Sequence, residues 1–512
     1  MACGRIAHLN KYASPGDDVT DVLQKLVNRY RTVVIDEGVW LLSGEIQLRS
    51  GVTIKGVGAD KSVLKRNDAF PIISGMLFYT EKANPDSYVN LDDSDEFNAD
   101  RVQYENISFE NLTIDFNRSP QKYSEREIKY TNLYGIALIR ARKCSVKNCR
   151  FTDLMTKERN NGYPAVVVYQ SEMIEIEHNV NERVTLLQAT FSNSVSVKDN
   201  HSISSVGTAI EFIAGSGHSC VTNQVDEVWW PVSCIGVNSS NCIVKGNVVK
   251  ATASNISCLT LGHDTVISQA DNTVVEGNIL HSAGCRSIII QNGCGIVLRN
   301  NICSCVINKD SPDMTSGCIV ASGNAEGIYN IKIEGNTLSA TGNGSFGCVT
   351  YRGRGLLLIK GNNITANRGV NVISTENCEV EITDNIISSK DYSISSSAPI
   401  LRVSNNTLKD GIIANAVEVE ITGNQIEHAT HYSFLGDRWD KVKIEGNQLS
   451  NKTNRVLQHL FLLDGSKKTA DCDVDKIKVL GNEVMGGGAK EVIGVSGAKS
   501  APQLRQIRNI KK

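Results

Sequence analysis

The 512-residue sequence has almost no net charge and few aromatic side chains. Lys and Arg total 53 against 55 for Asp and Glu, a formal net charge of -2, and aromatic residues make up 6% of the chain. Proteins that bind along the phosphate backbone of a nucleic acid contain more Lys and Arg than Asp and Glu. This chain does not, so no nucleic-acid partner is expected. No run of 18 apolar residues occurs, and the start Met1–Gly4 lacks the apolar segment of a signal peptide. We therefore expect neither membrane insertion nor an export signal.

Cysteine is present, but in a pattern that argues against disulfides and metal sites. The cysteines number 15, an odd count, and are spread along a chain long enough to fold without disulfide bonds. Cys303 and Cys305 are not spaced as a zinc knuckle, and no pair of histidines lies nearby at ligand spacing. We expect reduced, mostly buried thiols, no structural metal and no cofactor.

A short motif recurs along most of the chain. It reads apolar-x-apolar-x-Gly/Asp-Asn-x-apolar and is clearest around Asn247, Asn278, Asn336, Asn362, Asn385, Asn424 and Asn447. Weaker copies centre on Asn111, Asn148, Asn179, Asn200, Asn223, Asn301, Asn406 and Asn482. A base period of 23 residues separates Asn200 from Asn223 and Asn362 from Asn385, with insertions elsewhere. A fixed period of this length indicates a solenoid.

The repeat is built of strands. Its β-branched residues alternate instead of recurring at helical spacing. A second apolar strand lies 12 or 13 residues before most of the Asn residues, as Ile235 does before Asn247. Short strands without hairpin signals predict an all-β fold, a parallel β-helix with coils about 4.8 Å apart. The Asn residues would then stack as a hydrogen-bonded ladder at one bend, where the preceding Gly or Asp tolerates positive φ.

The amino-terminal segment predicts a cap. Asp17–Val27 has an acidic start and apolar residues at 19, 22, 23, 26 and 27, as in a short amphipathic helix that would cover the open end of the β-helix. First strands are expected over 32–42 and 51–58. The chain then divides into an extension (1–16), the capping helix and first strands (17–60), the β-helix with inserted loops (61–495) and a tail (496–512).

These features resemble a known superfamily. The acidic helix, the segment VVIDEGVWLLSGEIQLRSGVTIKGVG at 33–58 and the Asn-marked coils are similar to pectate-lyase-like right-handed parallel β-helix proteins, most of all bacteriophage tailspike polysaccharide depolymerases. The resemblance covers 17–495. It implies a right-handed helix, side-by-side homotrimers and a saccharide groove on the first sheet of the coils. The superfamily contains hydrolases, lyases, epimerases and adhesive proteins, so the resemblance alone does not select an activity.

Alternation along the strands predicts the outer surface of that sheet. The inward set is Ile210, Ile235, Leu259, Ile288, Ile319, Val349 and Val372. One outward set is Glu211, Gly236, Thr260, Ile289, Val320, Thr350 and Ile373, and the next is Ile213, Asn238, Gly262, Gln291, Ser322, Arg352 and Thr375. From the second set we predict that Asn238, Gln291 and Arg352 bind substrate.

Glu211 is the one carboxylate in these sets. Glycoside hydrolysis requires two carboxyl groups roughly 5 to 10 Å apart, one acting as acid and one as nucleophile or base. Asp226 and Glu227 lead into the next coil, about 4.8 Å above, so such a separation is reachable. We predict that Glu211 and either Asp226 or Glu227 form the catalytic pair.

Other side chains are candidates for substrate binding. Trp229 and Trp230 follow the two carboxylates directly and would suit stacking on a sugar ring, the alternative being a hydrophobic turn packed under a neighbour. Asp264, roughly 16 Å from Glu211 by strand geometry, is a substrate-binding candidate only. His263 and Arg352 supply a base and a cation of the kind that a lyase would need.

The sequence therefore predicts an endo-acting depolymerase of a bacterial surface polysaccharide, a glycoside hydrolase of a phage tailspike located in the virion. A polysaccharide lyase or epimerase on the same fold is one alternative. A non-catalytic adhesin that only binds its polysaccharide is another. His178 and His201, which follow or adjoin Asn residues of the repeat, are expected to be turn residues.

Overall fold

The computed structural model describes residues 6–70, 74–82, 97–118, 132–153, 164–229, 233–253, 256–263, 269–284, 286–306, 316–322, 327–342, 347–374, 376–427, 432–436, 439–450, 457–464, 477–485 and 489–496. The chain forms two compact units, 1–274 and 275–512. In each unit short strands pair in parallel with the strands one coil earlier and one coil later. A typical coil contributes one strand to each of three sheets, which we number in the order that the chain visits them.

The first unit follows this pattern. Its sheet 1 consists of Ile46–Gln47, Ser74–Tyr79, Asn132–Ile139, Pro164–Tyr169, Thr185–Thr190, Ile210–Ser216, Ser233–Ser240 and Ser257–Leu261. Its sheet 2 consists of Ile6–His8, Thr32–Ile35, Thr53–Gly56, Tyr104–Glu105, Ser108–Glu110, Ala141–Lys147, Glu172–Glu177, Asn193–Lys198, Ser219–Val221 and Ile243–Lys245. Its sheet 3 consists of Gly38–Leu42, Ser62–Arg66, Thr113–Asp115, Arg150–Thr152, Val180–Glu182, His201–Ser204, Gln224–Val225 and Val248–Ala251.

The second unit repeats the pattern, and the strand Val274–Glu276 lies at the boundary. Its sheet 1 consists of Arg286–Ile290, Gly317–Ser322, Val349–Arg352, Arg368–Val372, Tyr392–Ser396, Ile412–Ala414, Ser433–Leu435, Leu457–Asp464 and Ala489–Ser496. Its sheet 2 consists of Gly293–Cys294, Val297–Arg299, Ile328–Glu334, Arg354–Lys360, Cys378–Thr383, Ile400–Ser404, Glu418–Thr422, Lys441–Glu445 and Ile477–Leu480. Its sheet 3 consists of Ile279–Ser282, Ile302–Val306, Thr337–Thr341, Asn363–Thr365, Ile386–Ser388, Thr407–Leu408, Gln425–Glu427, Gln448–Ser450 and Glu483–Met485.

The predicted fold class, an all-β right-handed parallel β-helix with a short capping helix, is confirmed. The helix spans Thr20–Arg29, three residues later than the acidic start suggested, because Asp18 precedes it and accepts a 3.1 Å hydrogen bond from the Thr20 N–H. Leu23 is buried on its inner face. Gln24 exchanges side-chain hydrogen bonds with the Gln47 backbone, which ties the helix to the first coils. Two short 3-10 helices, Leu9–Lys11 and Ala99–Arg101, complete the described helices, none of which is long and apolar enough to cross a bilayer.

Each unit contains the predicted asparagine ladder. The Asn Oδ1 accepts hydrogen bonds of 2.8 to 3.0 Å from the backbone N–H and from Nδ2 of the ladder residue one coil earlier. The ladder residues are Asn179, Asn200, Asn223 and Asn247 in the first unit. In the second unit they are Asn278, Asn301, Asn336, Asn362, Asn385, Asn406, Asn424, Asn447 and Asn482.

The residue before each ladder position carries the bend. It has positive φ, as in Gly361 at 65° and Asp384 at 57°, a conformation that glycine, Asn and Asp adopt most easily. The expectation that Asn111 and Asn148 belong to the ladder is wrong, because both occupy this bend position, with φ of 56° and 54°. In that coil Cys149 takes the ladder place, and its N–H donates to Asn179.

Nearly all of the described cysteines are buried. All 12 described cysteines are free and, apart from the half-buried Cys294, buried. The neighbouring registers Ile235↔Leu259 and Ile319↔Val349 place Cys234 beside Cys258 and Cys318 beside Cys348. Burial raises the pKa of the Cys149 thiol to about 12, so the reactive thiolate is suppressed.

We therefore expect mild reductant to leave the melting temperature unchanged, and alkylation followed by mass spectrometry to find the described cysteines as free thiols. Labelling before and after denaturation is the control, since buried thiols should react only in the unfolded chain. Disulfides among these residues in the native protein would contradict the prediction.

Candidate active site

The outer face of sheet 1 in the first unit carries two columns of outward side chains. The first column, from register pairs, is Ala137, Val167, Gln188, Glu211, Gly236 and Thr260. The second is Ile139, Tyr169, Thr190, Ile213 and Asn238. The predicted outward placement of Glu211 and Asn238 is therefore confirmed, and Ile210, Ile235 and Leu259 are buried inside the coil.

The amino-terminal part of this face is apolar and covered. Met76, Tyr134, Ala137, Ile139, Val167, Tyr169 and Phe191 form one buried cluster. Four of its members, Ala137, Ile139, Val167 and Tyr169, belong to the two outward columns. Ala214, three residues after Glu211, packs against it. Glu211 therefore stands where an apolar surface gives way to small and polar side chains, a position that disfavours a charge.

Glu211 is half-buried, and its carboxyl group forms no hydrogen bond or ion pair with any residue that the structure describes. Burial raises the pKa of this carboxyl group from 4.5 to about 7. A carboxyl group with this pKa keeps its proton in about half of the molecules at pH 7 and in most of them at lower pH, as a general acid must. On the next coil Gly236 has no side chain, and a Cβ built there would lie 3.6 Å from Glu211 Oε1.

Asp226 lies on a different sheet from Glu211. Its backbone N–H donates to Ser202 at the continuation of sheet 3, and its Oδ2 is 2.7 Å from Nε2 of His201. Gln224 donates to both carboxylate oxygens at 2.9 and 3.0 Å, and Lys250 Nζ lies 4.0 Å away. Burial acts to raise the pKa of Asp226, but the bonds from Gln224 and His201 outweigh it and hold the pKa below its usual value. The Asp226 carboxylate is thus ionised and bonded to His201 and Gln224 on sheet 3.

Glu227 occupies the turn that leads from sheet 3 back to sheet 1. Its carbonyl oxygen accepts a 2.9 Å hydrogen bond from the Ser205 N–H, and its side chain is half-buried. Trp229 follows, half-buried, with its backbone N–H bonded to Ser205 at 2.8 Å. No described hydrogen bond or ion pair joins Glu211 to Glu227 or to Asp226.

The remaining predicted binding residues are distributed as follows. Asn238 is 7% exposed, and its Oδ1 has no hydrogen-bond partner among the described residues. His263 is exposed at the end of its strand. Gln291, half-buried, and Arg352, exposed, belong to the second unit. Trp230 and Asp264 lie outside the described residues.

One expected register, in the second unit, is corrected. Val349 pairs with Val370 instead of Val372, because the coil between them is 21 residues long, so Thr350 lies beside Asn371 and not Ile373. The offset is two, and the inward or outward direction of the side chains is therefore kept.

His201 is a strand residue and not a turn residue, because the residue after each ladder Asn starts sheet 3. The repeat itself places His201 at the start of a sheet 3 strand. From that position its contact with Asp226, which follows the sheet 3 strand of the next coil, could have been predicted. Among the described residues no group of three or more His, Cys, Asp or Glu side chains could hold a metal ion.

Comparison with known proteins gives one family match. Residues 11–230 match the model described as rhamnogalacturonase A/epimerase, pectate lyase-like. A search of curated protein sequences finds no match.

Several solved structures are similar at low identity. The A-module of the mannuronan C-5 epimerase AlgE6 from Azotobacter vinelandii is 11% identical, with 96% of each chain covered and a TM-score of 0.35. The tailspike protein of E. coli bacteriophage HK620 in complex with pentasaccharide is 14% identical over 85% of this chain and 75% of that one, with a TM-score of 0.45. The Streptococcus pneumoniae surface adhesin PfbA is 11% identical over 96% of this chain and 100% of that one, with a TM-score of 0.31. The family match confirms, over residues 11–230, the predicted resemblance to pectate-lyase-like parallel β-helix proteins.

Proposed function

We propose that this protein is an endo-acting polysaccharide depolymerase that works by hydrolysis, with Glu211 as its general acid. The observation that carries the proposal is Glu211 itself, a carboxyl group on the outer face of sheet 1 whose pKa is raised to about 7 and which no described side chain neutralises. Several described carboxylates on sheet 2 have a basic partner one coil away, as Glu110 has in Lys55. A half-buried carboxyl group with a raised pKa and no described basic partner suits catalysis better than stability.

The reaction needs a second, ionised carboxylate. Glu211 would give its proton to the glycosidic oxygen as the bond from that oxygen to the anomeric carbon breaks. Water would add to the anomeric carbon and lose its proton to the second carboxylate. Asp226 is held by His201 and Gln224 on sheet 3, so we propose Glu227, one residue nearer to sheet 1, as the partner.

The proposal extends to biological setting on the sequence resemblance alone. A tailspike would carry three such chains side by side in a virion and present them to a capsule or O-antigen at the bacterial surface. Trp229 and Asn238 would contact the sugar units next to the one that is cleaved.

A panel of capsular and O-antigen polysaccharides tests the activity. We expect new reducing ends and shorter chains without growth of absorbance near 235 nm, since hydrolysis leaves no unsaturated sugar. Growth of that absorbance would replace the hydrolase with a lyase, in which His263 and Arg352 would be tested next. Binding of a polymer without change of its size, in the presence of a fully folded protein, would leave an adhesin.

A further inference from the structure

Gly236 stands beside Glu211 on the next coil, although nothing in the fold requires glycine there. A Cβ built on Gly236 would lie 3.4 Å from Glu211 Cγ and 3.6 Å from both Glu211 Oε1 and Thr208 Cγ2. These are ordinary van der Waals distances, and the backbone of Gly236 does not have the positive φ that favours glycine. Glycine in the middle of a strand weakens it relative to residues with a side chain. What the missing side chain leaves is room for about one methyl group beside a carboxyl group.

The walls of this space are uncharged. Besides Glu211, the side chains around it in the two outward columns of the first unit are Gln188, Thr260, Thr190, Ile213 and Asn238, all neutral.

Cations on nearby corners are already engaged. At the turns that flank sheet 1, Arg140 lies 3.1 Å from Glu81, and Arg183 lies 3.2 Å from Glu182. Burial, with no contribution from a neighbouring cation, raises the pKa of Glu211. The described surface therefore offers no positive charge to an acidic ligand at this point.

We infer that the sugar unit bound against Glu211 is a neutral one, which contacts the strand at Gly236, where no side chain projects. This inference rests on the proposed function and names the kind of sugar at its cleavage point. A uronate there would bring a carboxylate beside Glu211 without a cation to balance it, and such an uncompensated charge in a half-buried site is costly. A neutral sugar meets the protonated carboxyl and the amide side chains with hydroxyl groups, which both donate and accept hydrogen bonds. Acidic units elsewhere along the polymer remain compatible with this arrangement.

Two measurements test the inference. In the first, the polysaccharide that the protein cleaves in the panel is digested, and mass spectrometry with NMR identifies the sugar at the new reducing end. We expect a neutral sugar, whereas a uronic acid at that end would overturn the inference and leave the depolymerase standing. If no polymer is cleaved, the proposed function fails and the inference fails with it.

In the second, Gly236→Ala fills the space with one methyl group. We expect kcat/KM to fall about tenfold or more, since a single misplaced methylene in a fitted pocket has effects of that size. The melting temperature should stay within about a degree of the wild type, because the methyl group fits at contact distance. A variant that melts normally and cleaves at the wild-type rate would place the sugar elsewhere, even if Glu211→Gln is inactive.

Discussion

Glu211→Gln is expected to lower the rate of polysaccharide cleavage by about 10²-fold or more, because the amide keeps the shape of the side chain but cannot release a proton. Substrate binding should change little, since glutamine occupies the same volume. Steady-state rates and affinity electrophoresis on the cleaved polymer measure the two effects separately. Glu175→Gln is the matched control, as Glu175 is an exposed carboxylate on sheet 2 paired with Lys147, and it should retain the wild-type rate.

The same carboxyl group should show in the pH dependence of rate and of stability. Cleavage should decline as the pH rises through about 7, where Glu211 loses its proton. A carboxyl whose pKa is raised by folding binds its proton more tightly in the native chain, so stability falls between pH 4.5 and about 7 and is level on either side. Glu211→Gln removes this cost, which is at most about 3 kcal/mol.

The melting temperature of Glu211→Gln should therefore be higher than that of the wild type at pH 8. At pH 4 the two melting temperatures should be the same. Equal melting at both values would mean that Glu211 titrates normally, and the role of general acid would be withdrawn. A wild-type cleavage rate in the variant at every pH would move the site to another part of the β-helix.

Asn362→Ala is expected to destabilise the protein by about 3 kcal/mol or more. The Asn362 Oδ1 accepts from both the N–H and Nδ2 of Asn336, and its Nδ2 donates to the Ile333 carbonyl and to Asn385. Asn362 is 2% exposed, so alanine would leave several buried groups without partners and with no access to water. Chemical denaturation monitored by circular dichroism measures the loss.

The adjacent residue provides the control for that experiment. Asn363 is exposed on sheet 3, and Asn363→Ala should change the free energy of unfolding by less than about 0.5 kcal/mol. Similar effects of the two substitutions would show that the ladder contributes no more than a surface amide does.

The fold could be predicted because one residue type recurs at one kind of bend. The Asn spacing fixed where each coil turns, and alternation then gave the inward and outward side chains of sheet 1, including Glu211. The register of Val349 was lost because coil length varies by two residues without a signal in the motif. Insertions change the length of a coil between bends, and periodicity carries no information about them.

The site could be predicted only in part. Outward direction follows from alternation, but the raised pKa of Glu211 depends on the covered apolar cluster beside it, which assembles residues from several coils. Asp226 was paired with Glu211 from its distance along the solenoid axis. Its actual partners, His201 and Gln224, are set by the sheet to which it belongs. Gly236 was placed in the outward set, but no pattern in the sequence indicated that its missing side chain would matter for substrate binding.

The asparagine ladder of the second unit also bears on how the protein would yield to a pulling force. Each ladder asparagine bonds to the ladder asparagines before and after it, from 18 to 35 residues away, and to nearby carbonyl groups, such as those of Ile333 and Lys360 for Asn362. Detaching the outermost coil therefore breaks its own bonds and leaves the next coil intact. Stretching from that end would release the chain in discrete steps, each lengthening a 23-residue coil to at most about 80 Å.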